Sequence, residues 1–392
     1  MTATSSYGTV TKVFHWLTAL LILTVIPLGI IANDMAYDTN EQLALKAQLF
    51  SAHKTLGVII FLVALARILW ALTQTKPAPL HPDRRAEVFL ADLVHWLLYL
   101  SLVAVPLTGW IHHAATTGFA PIWLPISQDL PWVPKDDSVA KLFAGLHWLW
   151  SKIMVASILL HIAGALKHHL IDRDSTLRRM WFGAIAPSLP HDRTWVAPLA
   201  AVMVYLALTI GGAFAGLYTA KPVAASTALA EVSSEWTVQD GDIALTITQF
   251  GAPVTGRFDD WTAAIRFDEN ASGELGEVTT TIAIGSVTLG SVTGQALGAD
   301  FFNAATFPTA TFKATIAHAE SGYLANGTLT IKDITVPLSL PFDLTISDDT
   351  ALMSGTVTLD RRDFGIGDTM GDETNLGFGV DVAISLTATR AE

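Results

Sequence analysis

The 392-residue chain is 51% hydrophobic, only 15% charged, free of cysteine, and carries a formal charge of −12. The lack of cysteine excludes disulfides, thiolate metal sites, iron–sulfur clusters and covalent c-type haem attachment. The charge is unevenly placed: residues 1–220 hold 15 Lys+Arg against 12 Asp+Glu, residues 221–392 hold 8 against 23, and the resulting +3 and −15 sum to −12, so two modules stand in series.

The opening stretch MTATSSYGTVTKVFHW has no basic segment followed by a small-residue cleavage site, so the first apolar run is expected to stay as a spanning helix. About 20 apolar residues cross a bilayer core, and five runs qualify: 12–32, 53–73, 90–112, 145–167 and 195–218. The links 73–89 and 167–194 carry Lys76, Arg84, Arg85, Lys167, Arg173, Arg178, Arg179 and Arg193, which places them in the cytoplasm by the positive-inside rule. The links 33–52 and 113–144 carry only Lys46, Lys135 and Lys141. The N-terminus is therefore expected inside and the acidic module outside.

Within the first four runs, the histidines follow a pattern of depth. His147 and His161 are 14 residues apart on one run, which returns them to within about 40° of one face while rising about 21 Å. His53 opens the second run at the depth of His147, and His15 opens the first at the depth of His161. Two facing imidazole pairs stacked across a bilayer suit two b-type haems, whose irons take axial nitrogens from facing helices. A single histidine at a helix end is readily satisfied by water; four at complementary depths are not explained that way. Depth alone leaves His95 as an equal partner for His161. The third run, LVHWLLYLSLVAVPLTGW, also echoes the first, with HWL early and Pro and Gly late.

The segments KVFHWLTALLILTVIPLG, SAHKTLGVIIFLVALARILW, VHWLLYLSLVAVPLTGW and GLHWLWSKIMVASILLHIAGALKHHLIDRD together resemble the four-helix core of the bacterial cytochrome b561 family, over residues 8–182. The resemblance implies a di-haem, quinone-linked electron carrier with His15, His53, His147 and His161 as iron ligands, and prefers His15 to His95. It also implies that superoxide oxidation at the outer face, coupled to ubiquinone reduction, is an activity within the family's range. Arg67 follows His53 by the same 14 residues, so it falls at the inner depth, where it either pairs with a haem propionate or snorkels to the headgroups. His112, His113, His168 and His169 lie at run ends as interfacial residues or proton relays to a quinone. The outer stretch IWLPISQDLPWVP suits a cap over a haem edge, with Trp123 and Trp132 as headgroup anchors.

After the tether TAKPVAASTALAE the period changes. IALTIT, TTTIAIGSVTLGSVTG, GTLTIKDITVPLSL, SGTVTLD and VDVAISLTA alternate in polarity, are rich in Val, Ile and Thr, and are divided by Gly, Asn and Asp turns, which reads as an antiparallel sandwich or barrel. The acidity argues against nucleic acid, and no DxDxDG calcium loop is present. WTVQDGDIALTITQFGAPVTGRFDDWTAAIRFD, LGADFFNAATFPTATFKA, GYLANGTLTIKDITVPLSLPFDL and LDRRDFGIGD are similar to the YceI family over residues 235–390. That likeness implies a lipocalin-like barrel enclosing a polyisoprenoid, quinone tails included. Phe250, Phe258, Trp261, Phe267, Phe301, Phe302, Phe307 and Phe312 are pocket candidates, each alternatively plain barrel core.

The expectation is thus a membrane all-α bundle, a four-helix di-haem core plus a fifth helix, followed by an all-β antiparallel barrel. The domains would run 1–182, 183–234 and 235–392. Such a chain would sit in a bacterial inner membrane with its barrel in the periplasm. It would pass electrons between a small-molecule or periplasmic redox partner and the ubiquinone pool, using two haem b, while the barrel binds quinone or another isoprenoid from the membrane lipid. Superoxide as the outer substrate would need a steering positive patch, for which Lys46, Lys54, Lys135, Lys141 and Lys152 are the candidates, against the −15 module. The competing reading is a membrane-anchored isoprenoid-binding or transfer protein whose bundle is mainly an anchor, which has no use for four depth-matched histidines.

Overall fold

The computed structural model describes residues 7–37, 39–74, 78–116, 120–181, 194–219, 228–271 and 273–391. Lys76, Arg193 and most of the tether lie outside the described residues. The chain divides into two compact units, one built on helices and one on a β-sheet.

Among the described residues, five helices are long and apolar enough to cross a membrane: Thr9–Asp34 (α1), Asn40–Leu72 (α2), Arg85–Ala114 (α3), Asp137–Lys167 (α4) and, after the short Thr176–Arg179 (α5), Val196–Phe214 (α6). The first four long helices begin earlier than their apolar runs. The backbone N–H of Gln42 donates to the Thr39 hydroxyl at 3.3 Å, the N-terminal signature T-x-x-Q, and carries α2 thirteen residues ahead of His53. Asp136 starts α4 in the same way, its carboxylate accepting from the Val139 N–H at 2.9 Å. His53 and His147 therefore do not open their helices; they sit well inside them, where their rings face neighbours and not the helix ends.

The centre of the bundle is Ile22, Val25, Ile60, Ala64, Leu102, Val105 and Met154, small and branched side chains that let four helices approach closely. The last helix packs on α3 and α4 through Ala201 and Tyr205. Its polar groups are satisfied across that interface: Tyr205 shares a hydrogen bond with Ser101, and the Trp150 indole donates to the Thr209 hydroxyl at 3.0 Å. In hydrocarbon an unmatched hydroxyl is costly, so these pairs fix which face of the helix turns inward.

The second half forms β1 (Trp236–Gln249), β2 (Ala252–Phe258), β3 (Trp261–Phe267), β4 (Gly276–Ala283), β5 (Val287–Thr288), a helical turn α7 (Thr293–Ala296), β6 (Thr309–His318), β7 (Tyr323–Ile331), β8 (Ile334–Ser347), β9 (Thr350–Asp360) and β10 (Leu376–Arg390). All ten strands join one antiparallel sheet in the order β3-β4-β6-β7-β8-β9-β10-β1-β2-β5. The sheet curls until the chain entering β1 meets β3, where Glu235 N–H donates to the Ile265 carbonyl at 3.0 Å. Alternation sets the curl's inside: Ala310, Phe312, Ala314 and Ile316 of β6 are buried while their neighbours are not. Lys332 and Asp333, both at positive φ, make the two-residue turn that fixes the β7–β8 register.

Candidate functional site: two histidine pairs and a hollow barrel

The helical unit brings the depth-matched histidines together. His53 on α2 and His147 on α4 have ring centroids 6.3 Å apart, their planes at 86°. His15 on α1 and His161, farther along α4, are 6.0 Å apart at 58°. An iron midway, bonded at about 2 Å to one nitrogen of each ring, sets such centroids about 6 Å apart, so both pairs fit a bis-imidazole haem. His95 is also close to His161, at 5.1 Å, but its Nδ1 lies 2.6 Å from the Ala91 carbonyl of its own helix.

Two features hold the outer rings, and the sequence echo between α1 and α3 explains both. His53 Nδ1 lies 3.0 Å from the Val25 carbonyl, and His147 Nδ1 lies 2.9 Å from the Val105 carbonyl. In this pairing the Nδ1–H donates to the carbonyl and Nε2 is left with its lone pair, the state a metal-binding imidazole needs. Four residues on from each valine stands a glycine. A Cβ at Gly29 would come within 2.6 Å of His53 Cε1, and one at Gly109 within 3.0 Å of His147 Cε1. The V-x-x-x-G pattern, present in VIPLG and VPLTG, gives each outer histidine one carbonyl to bond and one gap to enter.

Arg67, the other candidate at the His15–His161 depth, packs against an aromatic ring of a neighbouring helix. Its guanidinium lies 5.4 Å from the Tyr99 ring centre on α3, half-buried, on the side of His15 and His161. The link between α3 and α4 closes over the His53 end. Lys54, 7% exposed, donates to Gln128 Oε1 at 3.1 Å, while the Gln128 amide and carbonyl bond to the His113 carbonyl and the Trp110 indole. Trp123 and Trp132, 61% and 74% exposed, stand out as headgroup anchors would. Lys54 is thus engaged and not a surface steering charge; Lys135 pairs with Asp129, and Lys152 covers Trp148.

At the inner end, Glu87, His168 and Asp172 come close enough to hold an ion. Lys167 already bonds both carboxylates, at 2.8 and 2.9 Å, and Arg84 bonds Asp172 at 3.1 Å, so the group is an ion-pair network pinning α3 to the end of α4. Asp174 joins it from outside the spans, accepting from His168 at 2.8 Å and His81 at 3.2 Å. His112 bonds the Ala140 carbonyl and lies 4.6 Å, ring to ring, from His113.

The sheet encloses a cavity of about 250 Å³ lined almost wholly by apolar side chains, far larger than the roughly 10–15 Å³ one water needs. Phe258, Trp261, Phe267, Phe301, Phe302 and Phe312 line it. Phe250 and Phe307 do not: Phe250 sits in the β1–β2 turn at φ 49°, outside the alternation that aims strand residues inward. Sequence patterning missed four polar lining residues, Gln249, Thr280, Gln295 and Arg361. Arg361, 3% exposed, donates to the carbonyls of Gly377, Ile366, Gly367, Met370 and Leu376, so it is a fold-holding plug beneath the cavity.

A membrane bundle with facing histidine pairs, followed by a hollow antiparallel sheet, defines a membrane cytochrome with an appended β domain. The Prokaryotic cytochrome b561 family matches residues 6–183, and the YceI-like domain matches residues 231–388. Cytochrome b561 homolog 2 of Escherichia coli (strain K12) is 32% identical over 176 residues, covering 44% of this chain and 90% of the relative. The Probable superoxide oxidase CybB of Yersinia pestis is 29% identical over 129 residues, covering 33% of this chain and 72% of the relative. Among solved structures, BcnA of Burkholderia cenocepacia is 28% identical with a TM-score of 0.36, covering 38% of this chain and 96% of that one. A polyisoprenoid binding domain from Saccharophagus degradans is 14% identical with a TM-score of 0.32, covering 41% and 100%. The chain belongs to the prokaryotic cytochrome b561 family, a family of haem b proteins, and carries a YceI-like domain after its membrane part.

Proposed function

We propose that this protein is an inner-membrane electron carrier holding two b haems, and that its β domain takes quinone or another isoprenoid lipid. His53 and His147 are assigned to the outer haem, His15 and His161 to the inner one. The observation that carries this reading is the pair of centroid distances, 6.3 and 6.0 Å, on helices that place the two pairs about 21 Å apart along α4. At 5.1 Å from the His161 ring centre, His95 leaves too little room for an iron midway between the rings, which supports His15. The bound groups supply one-electron redox chemistry.

The rest is the work of the chain. The Val25 and Val105 carbonyls fix the outer rings, Gly29 and Gly109 admit them, and the apolar centre of the bundle excludes water between the pairs. Arg67 would hold a haem propionate by a charge-assisted contact; Arg67→Leu should weaken retention or shift the potential of the inner haem, and an unchanged spectrum and redox titration would remove that role. The basic links support a cytoplasmic N-terminus and a periplasmic β domain, with domain limits at 1–182, 183–234 and 235–392. Electrons would pass between an outer redox partner and the quinone pool. The Yersinia pestis relative favours superoxide as that partner, while the −15 charge of residues 221–392 would slow its approach.

Haem per chain, measured by the pyridine haemochrome on purified protein, tests the core of the proposal. Two b haems are expected in the wild type, one in His15→Ala and two in His95→Ala. No haem in the wild type would sink the electron-carrier reading, and loss in His95→Ala alone would transfer the ligand role. For the β domain, lipid extracted from the purified chain should contain an isoprenoid; none would overturn that half.

A further inference from the structure

The cavity in the sheet has two polar atoms that the fold leaves without partners. Gln249, at the end of β1, is 3% exposed, and its Oε1 is buried with no hydrogen bond. Gln295, in α7, has its Nε2 buried with no hydrogen bond either. Both side chains line the cavity. Ile247, two residues before Gln249 on β1, packs on the cluster that holds Val292 and Ala296, which flank Gln295 in sequence, so the two glutamines border neighbouring parts of the lining. Around them the lining is apolar, with Leu289, Val292 and Phe301 close in sequence or space, except for Arg361, which bonds the carbonyl of Leu376, the strand partner of Gln249. A buried acceptor and a buried donor left unmade are each destabilising, and a purely apolar occupant would leave them so.

We propose that Gln249 and Gln295 receive the hydroxyl-bearing head of an isoprenoid alcohol or hydroquinone, which enters the cavity head first. The head's O–H donates to Gln249 Oε1, and a head oxygen accepts from the Gln295 Nε2–H. This rests on the reading that the barrel takes an isoprenoid, and it names which chemical class that isoprenoid belongs to. A hydrocarbon such as a polyprene satisfies neither amide. A diphosphate is disfavoured as well, because the one cation on the lining, Arg361, already gives its donors to five backbone carbonyls. A head with one donor and one acceptor matches the two vacancies with no charge to bury.

The test uses the full chain in nanodiscs, with empty discs subtracted. Binding of labelled geranylgeraniol, of a short-chain ubiquinol and of the hydrocarbon matching geranylgeraniol is compared in the wild type, in Gln249→Leu/Gln295→Leu and in Ala310→Trp, which fills the cavity. Strand content by circular dichroism and an unchanged haem spectrum certify each variant. In the wild type at least one hydroxyl probe should bind about tenfold tighter than the hydrocarbon, the factor a net hydrogen bond or two supplies. The double leucine variant should bind all probes as the wild type binds hydrocarbon; the tighter of the two hydroxyl probes identifies the source. Equal affinities in the wild type, or a preference that survives in the double variant, would overturn the proposal while leaving the lipid barrel standing. No binding of any probe, or binding unchanged in Ala310→Trp, would overturn the lipid barrel itself.

Discussion

Adding one methyl group at Gly29 should disturb the outer haem more than adding one at Gly109. A Cβ at Gly29 would lie 2.6 Å from His53 Cε1 and 2.8 Å from its Nδ1. Carbon atoms rest near 3.5 Å, so the ring must withdraw by about 0.9 Å. That withdrawal leads away from α1, which also carries the Val25 carbonyl, and would stretch the 3.0 Å bond to Nδ1 past hydrogen-bond range. At Gly109 the Cβ would lie 3.0 Å from His147, a retreat of about 0.5 Å, which the 2.9 Å bond to Val105 survives in lengthened form. Losing the bond costs about 1 kcal/mol, and losing such a supporting contact at a metal ligand typically lowers metal affinity about 10–100-fold. Gly29→Ala should therefore lose outer haem during purification or shift its midpoint potential, with Gly109→Ala milder in both. Haem per chain and a potentiometric titration read the two together. A Gly29→Ala protein with full haem and an unshifted titration, or a larger loss in Gly109→Ala, would refute the reasoning.

Arg361→Met should orphan five carbonyls under the barrel at a cost of about 3 kcal/mol or more; protease should then cut residues 235–390 at a lower temperature while the haem spectrum holds, and an unchanged cutting temperature would contradict this. At Asp174, burial pushes the carboxyl up, but hydrogen bonds from the Thr176 side chain and backbone and from His168 outweigh it and hold it at about 2, below the ordinary 3.8. Because the folded value is depressed, its contribution is complete above about pH 4 and drains away as pH falls through about 2. Amide exchange in residues 168–176 should rise across that window in the wild type and lose this step in Asp174→Asn; a step that persists would assign it elsewhere. Lys54→Met should free Gln128 and loosen the outer link, seen as faster exchange at residues 122–130, and exchange equal to wild type would show that the Trp110 and His113 bonds hold the link unaided.

Much of this architecture was legible along the chain because it depends on local period. Apolar runs of bilayer length became α1, α2, α3, α4 and α6, and alternating Val, Ile and Thr became strands. The facing of His15 with His161 and of His53 with His147 was legible because a helix converts residue separation directly into height. Height could not choose between His15 and His95, since both stand at one depth; only the lateral approach of α1 and α3 to α4 separates 6.0 from 5.1 Å. Apolar runs do not mark helix starts where a polar cap extends the helix beyond its run, as at Thr39, whose T-x-x-Q is the local signal. The echo of VIPLG in VPLTG was visible too, but its meaning needed the partner helices, because a carbonyl and a gap become a socket only when another helix brings a ring to them. Gln249, Gln295 and Arg361 gave no sequence signal, since a lone polar residue in a strand or turn reads as surface until the sheet closes over it.

The central claim, two irons each held by two imidazoles, is tested most directly by low-temperature electron paramagnetic resonance of the oxidised full chain. Two distinct low-spin signals are expected. The one lost in His53→Ala should be the more anisotropic, because its rings are crossed at 86° against 58° in the pair lost in His15→Ala. A single low-spin signal, or a high-spin signal from an iron with one axial ligand in the wild type, would contradict the account.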